Sequence, residues 1–339
     1  MATINNEDYF QINTDILASF PKHRLPLNLY IFRDDIAVLE PFYRKGNRLT
    51  DEQIEKLVAL CEAGSVFVSH LDQEVYKQHI VKQLDLVLLD PHFSDGEVAE
   101  ICILAIAKRY LNFYNQSVPE VYNALYRDVM VLTEYLWADK YRIMPFVRRL
   151  FRKAKPERHA VNTMIVGTWL WMQQFKEYTR KDLDRLVLAL VLHDIGMCKT
   201  PQFILAKQGR LKPEEKEKVI QHTYHSLKLV QKCELTYDEE IHACFEHHER
   251  LDGSGYPQRY KGTQISTIGK ITALADSFSA MICERCYAKA KTPEQAGREL
   301  HSDSRYDTLY STPLATAFVQ GGPMSNMIDM DSKADTEVR

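Results

Sequence analysis

The chain reads as an α+β protein, a mixed α/β module at the N-terminus followed by an all-helical domain. Short apolar and aromatic runs bounded by turn residues fill the first part, as strands do. From Ser94 onward apolar residues recur three and four positions apart, as in helices. Two pairs of ligand-type residues, His193-Asp194 and His247-His248, stand at the ends of helical segments. At 339 residues the chain has the length of two ordinary domains. The pattern places a regulatory or dimerising module at residues 1–93 and connecting helices at 94–149. The ligand-bearing domain covers residues 150–318, and residues 319–339 are expected to be a disordered tail.

In the first module, residues 27–32 and 36–42 are expected strands. Lys45-Gly46-Asn47-Arg48 signals a turn, and Thr50 with Gln53 forms a capping box. Ile54, Leu57, Val58 and Cys61 then repeat at helical spacing, Gly64 ends that helix, and residues 65–69 form another strand. Ser94 and Glu97 make a second capping box ahead of Val98, Ile101, Leu104, Ala105 and Leu111. Pro119 and Pro145 punctuate further helices. Residues 181–192 form an apolar helix that runs into His193-Asp194, with Gly196 as its terminator. Pro213 opens the next helix, where its missing N–H costs little. Thr236-Tyr237-Asp238-Glu239 caps the helix that carries Glu246, His247 and His248. Gly253, Gly255 and Pro257 enforce a loop, and residues 265–282 form a further apolar helix containing Asp276.

With 45% hydrophobic and 26% charged residues the composition is that of a globular chain. A net charge of −3 gives no global attraction to nucleic acid or to an anionic membrane. The basic run Arg148, Arg149, Arg152, Lys153, Lys155 and Arg158 reads as a solvated helix face or, more sharply, as a phosphate-attracting rim. The first residues lack the layout of a signal peptide, and the longest apolar stretches are too short to span a bilayer. A cytoplasmic location without membrane insertion is therefore expected. Seven cysteines without regular spacing suit reduced thiols, and Cys283 with Cys286 reads as packing.

Of the 12 histidines, five lie between His222 and His248. A fused His-Asp pair offers a neutral nitrogen and an anionic oxygen on adjacent residues, and the carboxylate can bridge two cations. An aspartate at the end of an apolar helix also needs a partner or a metal to offset its desolvation. The rings of His247 and His248 point about 100° apart on a helix, so both reach one cluster only near that helix's end. His222 and His225 share a face, one as ligand and the other as bystander. Zinc-protease spacings, a P-loop, a nucleophile elbow and a dinucleotide fingerprint are all absent. The chemistry left is metal-assisted hydrolysis, most naturally of a phosphodiester.

An ordered series carries a specific resemblance. His193-Asp194-Ile195-Gly196 is followed by Pro201, Ile204-Leu205, Lys207, Gly209, Leu211, Glu215 and His222, then by the segment from His247 to Pro257. With Gly262, Ile265, Ala275-Asp276, Ala280 and Arg285, the series resembles the HD-GYP domain, a branch of the HD phosphohydrolases, over residues 150–318. The resemblance implies an all-α catalytic domain that hydrolyses a cyclic dinucleotide, cyclic di-GMP foremost and cyclic GMP-AMP in some members, by a metal-bridging hydroxide. It implies two divalent ions, iron or manganese. His159, His193, Asp194 and Asp276 would hold one; a second would share Asp194 and take His222, His247 and His248. Tyr256 and Arg285 are the implied substrate contacts.

The series departs from the family at Met197, where a lysine is usual, and Lys199 is expected to substitute as proton donor or phosphate clamp. Lys155 stands where three-metal members carry a glutamate, which implies a binuclear site. Ala288 replaces a further basic residue. These departures leave open a metal-loaded module that senses the dinucleotide without cleaving it, while the Gly255-Tyr256-Pro257 loop argues against a mononucleotide substrate. A homodimer through the first module or the connecting helices is allowed for.

Overall fold

A computed structural model describes residues 8–12, 14–33, 38–73, 75–76, 84–88, 93–235, 237–285, 288–319, 322–324 and 326–336. The chain divides into two compact units, residues 1–105 and 106–339. In the first unit, β1 (Tyr9–Gln11), β2 (Leu29–Arg33), β3 (Val38–Tyr43) and β4 (Val66–Ser69) form an antiparallel sheet in the order β1-β4-β2-β3. Helix α1 (Thr14–Ser19) follows β1, and α2 (Asp51–Glu62) precedes β4. The expected capping box is formed: the Thr50 hydroxyl accepts from the Gln53 N–H, and the Gln53 side chain accepts from the Thr50 N–H. Residues 36 and 37 of the second expected strand lie outside the described residues. Strand β1 and helix α1 carry no sequence signal, because three and six residues are too few to display a period.

Helix α3 (Asp95–Asn115) begins at the box expected of Ser94 and Glu97. The second unit continues with α4 (Pro119–Ala138), α5 (Ile143–Val147), β5 (Arg149–Leu150), α6 (Pro156–Gln174) and α7 (Arg180–Leu192). After these come the short α8 (Gln202–Leu205), then α9 (Pro213–Ile220), α10 (His222–Lys232), α11 (Asp238–Glu246) and α12 (Thr267–Ile282). Helices α13 (Pro293–Ser302) and α14 (Thr308–Ala317), strand β6 (Ile328–Asp329) and helix α15 (Asp331–Thr336) complete the described chain. Helix α6 is buried on nearly every face and packs against α7 and α12, which makes it the axis of the core. Among the described residues no helix is long and apolar enough to cross a membrane.

The segment 94–149, expected as connecting helices, divides at Ala105, and all of it after that residue belongs to the helical unit. Three expectations are corrected. The tail is not disordered where it is described. Strand β6 pairs in parallel with β5, and Asp331 of α15, 3% exposed, pairs with the guanidinium of Arg158. Its order comes from ion pairs with residues more than 170 positions earlier, which local composition does not register. The basic run is no helix face either: Arg148 to Lys155 precede α6, and Arg158 is buried. Finally, α7 ends at Leu192, so Gly196 does not terminate it. The Thr236 cap lies outside the described residues, as does Cys286; Cys283 is buried, with its thiol on the Phe151 carbonyl at 3.3 Å.

A candidate metal centre beneath a substrate cavity

Local structure delivers each donor to one place. His193-Asp194 follows the last residue of α7, and His247-His248 follows the last residue of α11. Both pairs therefore sit at helix C-termini, where the backbone dipole favours a cation. His222 opens α10, His159 lies in the first turn of α6, and Asp276 lies on α12.

Two glycines hold these pieces together. A Cβ on Gly196 would lie 2.2 Å from the His222 carbonyl oxygen and 2.3 Å from the Ser226 nitrogen. Only glycine lets the turn after Asp194 press onto α10, and the Gly196 N–H donates to the Ser226 hydroxyl at 2.8 Å. A Cβ on Gly255 would meet the His248 carbonyl oxygen and the Glu249 Cα, both at 2.5 Å. That loop is pinned further by Glu249, whose buried carboxylate accepts from the N–H groups of Gln258, Arg259 and Tyr260 at 2.6, 3.0 and 3.0 Å. Tyr256 is thereby laid on His248, with ring centroids 4.6 Å apart.

The protonation pattern follows from the backbone. His193 Nδ1 lies 2.7 Å from the Leu190 carbonyl, His247 Nδ1 lies 2.8 Å from that of Ala243, and His222 Nδ1 meets that of Val219. A carbonyl has no proton to give, so each Nδ1 is the donor and each Nε2 carries a lone pair. Burial pushes the His193 and His248 rings well toward the neutral form and lowers His247 to about 3, with neighbouring imidazoles adding to the effect on His247 and His248.

The lone pairs converge. His222 Nε2 is 3.1 Å from His247 Nε2 and 3.1 Å from Asp194 Oδ1, and His247 Nε2 is 3.8 Å from the same oxygen. Burial raises the Asp194 carboxyl, yet the surrounding imidazoles, His222 first, outweigh it and hold it ionised. Asp276 is likewise held well below the usual carboxylate range, by His159 against its own burial. Its Oδ1 lies 2.9 Å from His159 Nε2 and 3.9 Å from His193 Nε2. Asp194 Oδ1 and His193 Nε2 are buried with no hydrogen-bond partner. Lone pairs of His193, His222 and His247 packed this closely about Asp194 without a proton between them fit a divalent cation. Two groups within 4.8 Å have the needed geometry, Asp194 with His222, His247 and His248, and Asp194 with His159 and His193. His225, by contrast, belongs to neither group and has Lys228, His222 and Lys199 as its charged neighbours.

Above the cluster lies a cavity of about 580 Å³, which is of small-ligand size. Tyr256 and Arg285 line it, as does Met197. Lys199 does not: it is exposed and lies beside His225, because the tight turn Ile195–Lys199 aims residues two apart in different directions. The cations that do line the cavity, besides Arg285, are Lys155 and Lys207, the latter 2.5 Å from Glu215. Tyr110 and Tyr114 also line it, burial pushing the Tyr114 phenol up to about 12. Their spacing of four on a helix was the available signal, but nothing in sequence ties that helix to the ligands.

Fold and site together define a helical domain organised around a His/Asp cluster with the donor set of a metal centre. Residues 145–309 match the HD domain family, and the segment His247–Pro257 resembles that of its HD-GYP branch. A cyclic di-GMP phosphodiesterase of Thermotoga maritima is 42% identical over 175 residues, 50% of this chain and 45% of that protein. The 3'3'-cGAMP-specific phosphodiesterase 2 of Vibrio cholerae is 36% identical over 122 residues, 35% of this chain and 23% of that protein. The chain thus spans less than half the length of these relatives. Among solved structures, Bd1817, a HDG"Y"P protein from Bdellovibrio bacteriovorus, shares the fold. Its TM-score is 0.55 at 15% identity, over 91% of this chain and 98% of that one.

Proposed function

We propose that the protein is a metal-dependent phosphodiesterase that hydrolyses a cyclic dinucleotide, cyclic di-GMP foremost, to the linear dinucleotide or on to the mononucleotide. The observation that carries this reading is one carboxylate, Asp194, its Oδ1 buried, shared by two groups of converging imidazoles at the floor of the cavity. Two divalent ions, iron or manganese, are the proposed occupants, and in such a place they would activate water and neutralise phosphoryl oxygens.

The side chains have assignable roles. His159, His193 and Asp276 serve one ion, His222, His247 and His248 the other, and Asp194 both. The backbone carbonyls of Leu190, Val219 and Ala243 fix the tautomer of three imidazoles, so that no Nε2 needs to lose a proton on binding. Tyr256 offers a ring face to a base and a hydroxyl to a phosphate, and burial keeps that phenol protonated. Arg285 supplies a planar donor set for phosphate oxygens. Lys199, outside the cavity, is given no catalytic role.

The test is anaerobic incubation of iron- or manganese-loaded protein with cyclic di-GMP, 3'3'-cGAMP and mononucleotides, followed by chromatography of the products. Cleavage of a cyclic dinucleotide is expected. Binding without cleavage would sink the enzymatic reading and leave a dinucleotide sensor.

A further inference from the structure

The start of α6 meets an acidic face of α15. Asp335 accepts hydrogen bonds from Lys153 Nζ at 2.8 Å and from Arg158 Nη2 at 2.5 Å, and its Oδ1 lies 3.9 Å from Lys155 Nζ. One turn earlier, Asp331 pairs with the Arg158 guanidinium and accepts from the Arg152 N–H at 3.0 Å. These two carboxylates differ in kind. Asp331 is enclosed and offsets a buried charge. The Asp335 side chain is 42% exposed, and of the three cations around it Lys155 alone also lines the cavity.

Lys155 is the N-cap residue of α6, four residues before His159, or about 6 Å of helix rise. We infer that Lys155 binds a substrate phosphate and that Asp335 of the C-terminal helix competes with the substrate for it. The inference rests on the cyclic-dinucleotide reading. Such a ligand carries two phosphodiesters, and a cluster that holds one for cleavage leaves the other to cations at the cavity's rim.

A lysine suits that task, being a compact charge with three donors on a flexible stem. Its present contact with Asp335 is beyond hydrogen-bonding distance and open to solvent, hence weak. A direct ammonium–phosphate hydrogen bond is stronger. When Lys155 turns to the phosphate, Lys153 and Arg158 still hold Asp335, so α15 stays docked. The basic run of the sequence is thereby divided: Arg158 is structural, and Lys155 faces the ligand.

Equilibrium binding of a phosphorothioate analogue of cyclic di-GMP to the metal-loaded full chain tests this, together with KM and kcat for cyclic di-GMP. Lys155→Met is expected to weaken binding and raise KM about tenfold, with metal content unchanged, and Lys155→Arg to retain most of the affinity. Asp335→Asn is expected to tighten binding about threefold in the parent and not at all in a Lys155→Met background. Unchanged affinity in Lys155→Met, loss of metal there, or an equal Asp335→Asn effect in both backgrounds would overturn the inference. Parent protein that binds no cyclic dinucleotide would remove the functional reading along with it. Parent binding that is indifferent to Lys155 removes the inference alone.

Discussion

Asp194 is the residue on which the proposed centre depends, because both groups of candidate metal donors contain it. Asp194→Ala should lower the metal content of purified protein and cut turnover by at least about 100-fold, more than loss of an outer-shell partner costs. Elemental analysis beside product chromatography reads both; a variant with full metal content would contradict the shared-ligand assignment. Its fold should persist, since no hydrogen bond reaches Asp194 Oδ1. Gly196→Ala is a different kind of lesion. Its new Cβ would press on backbone atoms of α10 at 2.2 and 2.3 Å, and a cost of about 1–3 kcal/mol is expected in urea unfolding. At this scale the fused His-Asp and His-His pairs were legible, because such pairs have few other uses. Not every cation of the cavity was: Lys199 is nearer the motif in sequence, yet Lys155 lines the cavity and Lys199 does not.

Elements were legible where a local rule marks them. The capping boxes at Thr50 and Ser94 and the helix-opening Pro213 each stand where their spacing put them. Elements held by distant partners were not. Helix α15 is six residues long and would not persist alone; its order depends on Arg158. Asp331→Ala leaves that guanidinium buried without its nearest counter-charge, and a loss of about 3 kcal/mol is expected. Urea titration of variant and parent checks it, and a change within error would show that Asp335 alone satisfies Arg158.

Over the whole molecule, stability should carry a pH signature from Glu240, which is fully buried with neither carboxyl oxygen hydrogen-bonded. Burial raises its pKa from 4.5 to about 7. Between those values the folded protein keeps a proton that the unfolded chain releases. The group's contribution is thus complete below pH 4.5 and declines as pH rises to about 7, by at most about 3 kcal/mol. Glu240→Gln should abolish that decline, so unfolding free energies of parent and variant, compared from pH 5 to pH 7.5, should diverge steadily. Parallel profiles would refute it. The sequence by itself determined the α+β class, the helical period and the two fused pairs His193-Asp194 and His247-His248, because period, caps and adjacency are local properties. Tertiary structure alone decided which cations reach the cavity, that Tyr110 and Tyr114 wall it, and that the C-terminal residues fold back onto α6. Those are contacts between residues far apart in the chain, and their energies exist only once packing has brought the partners together.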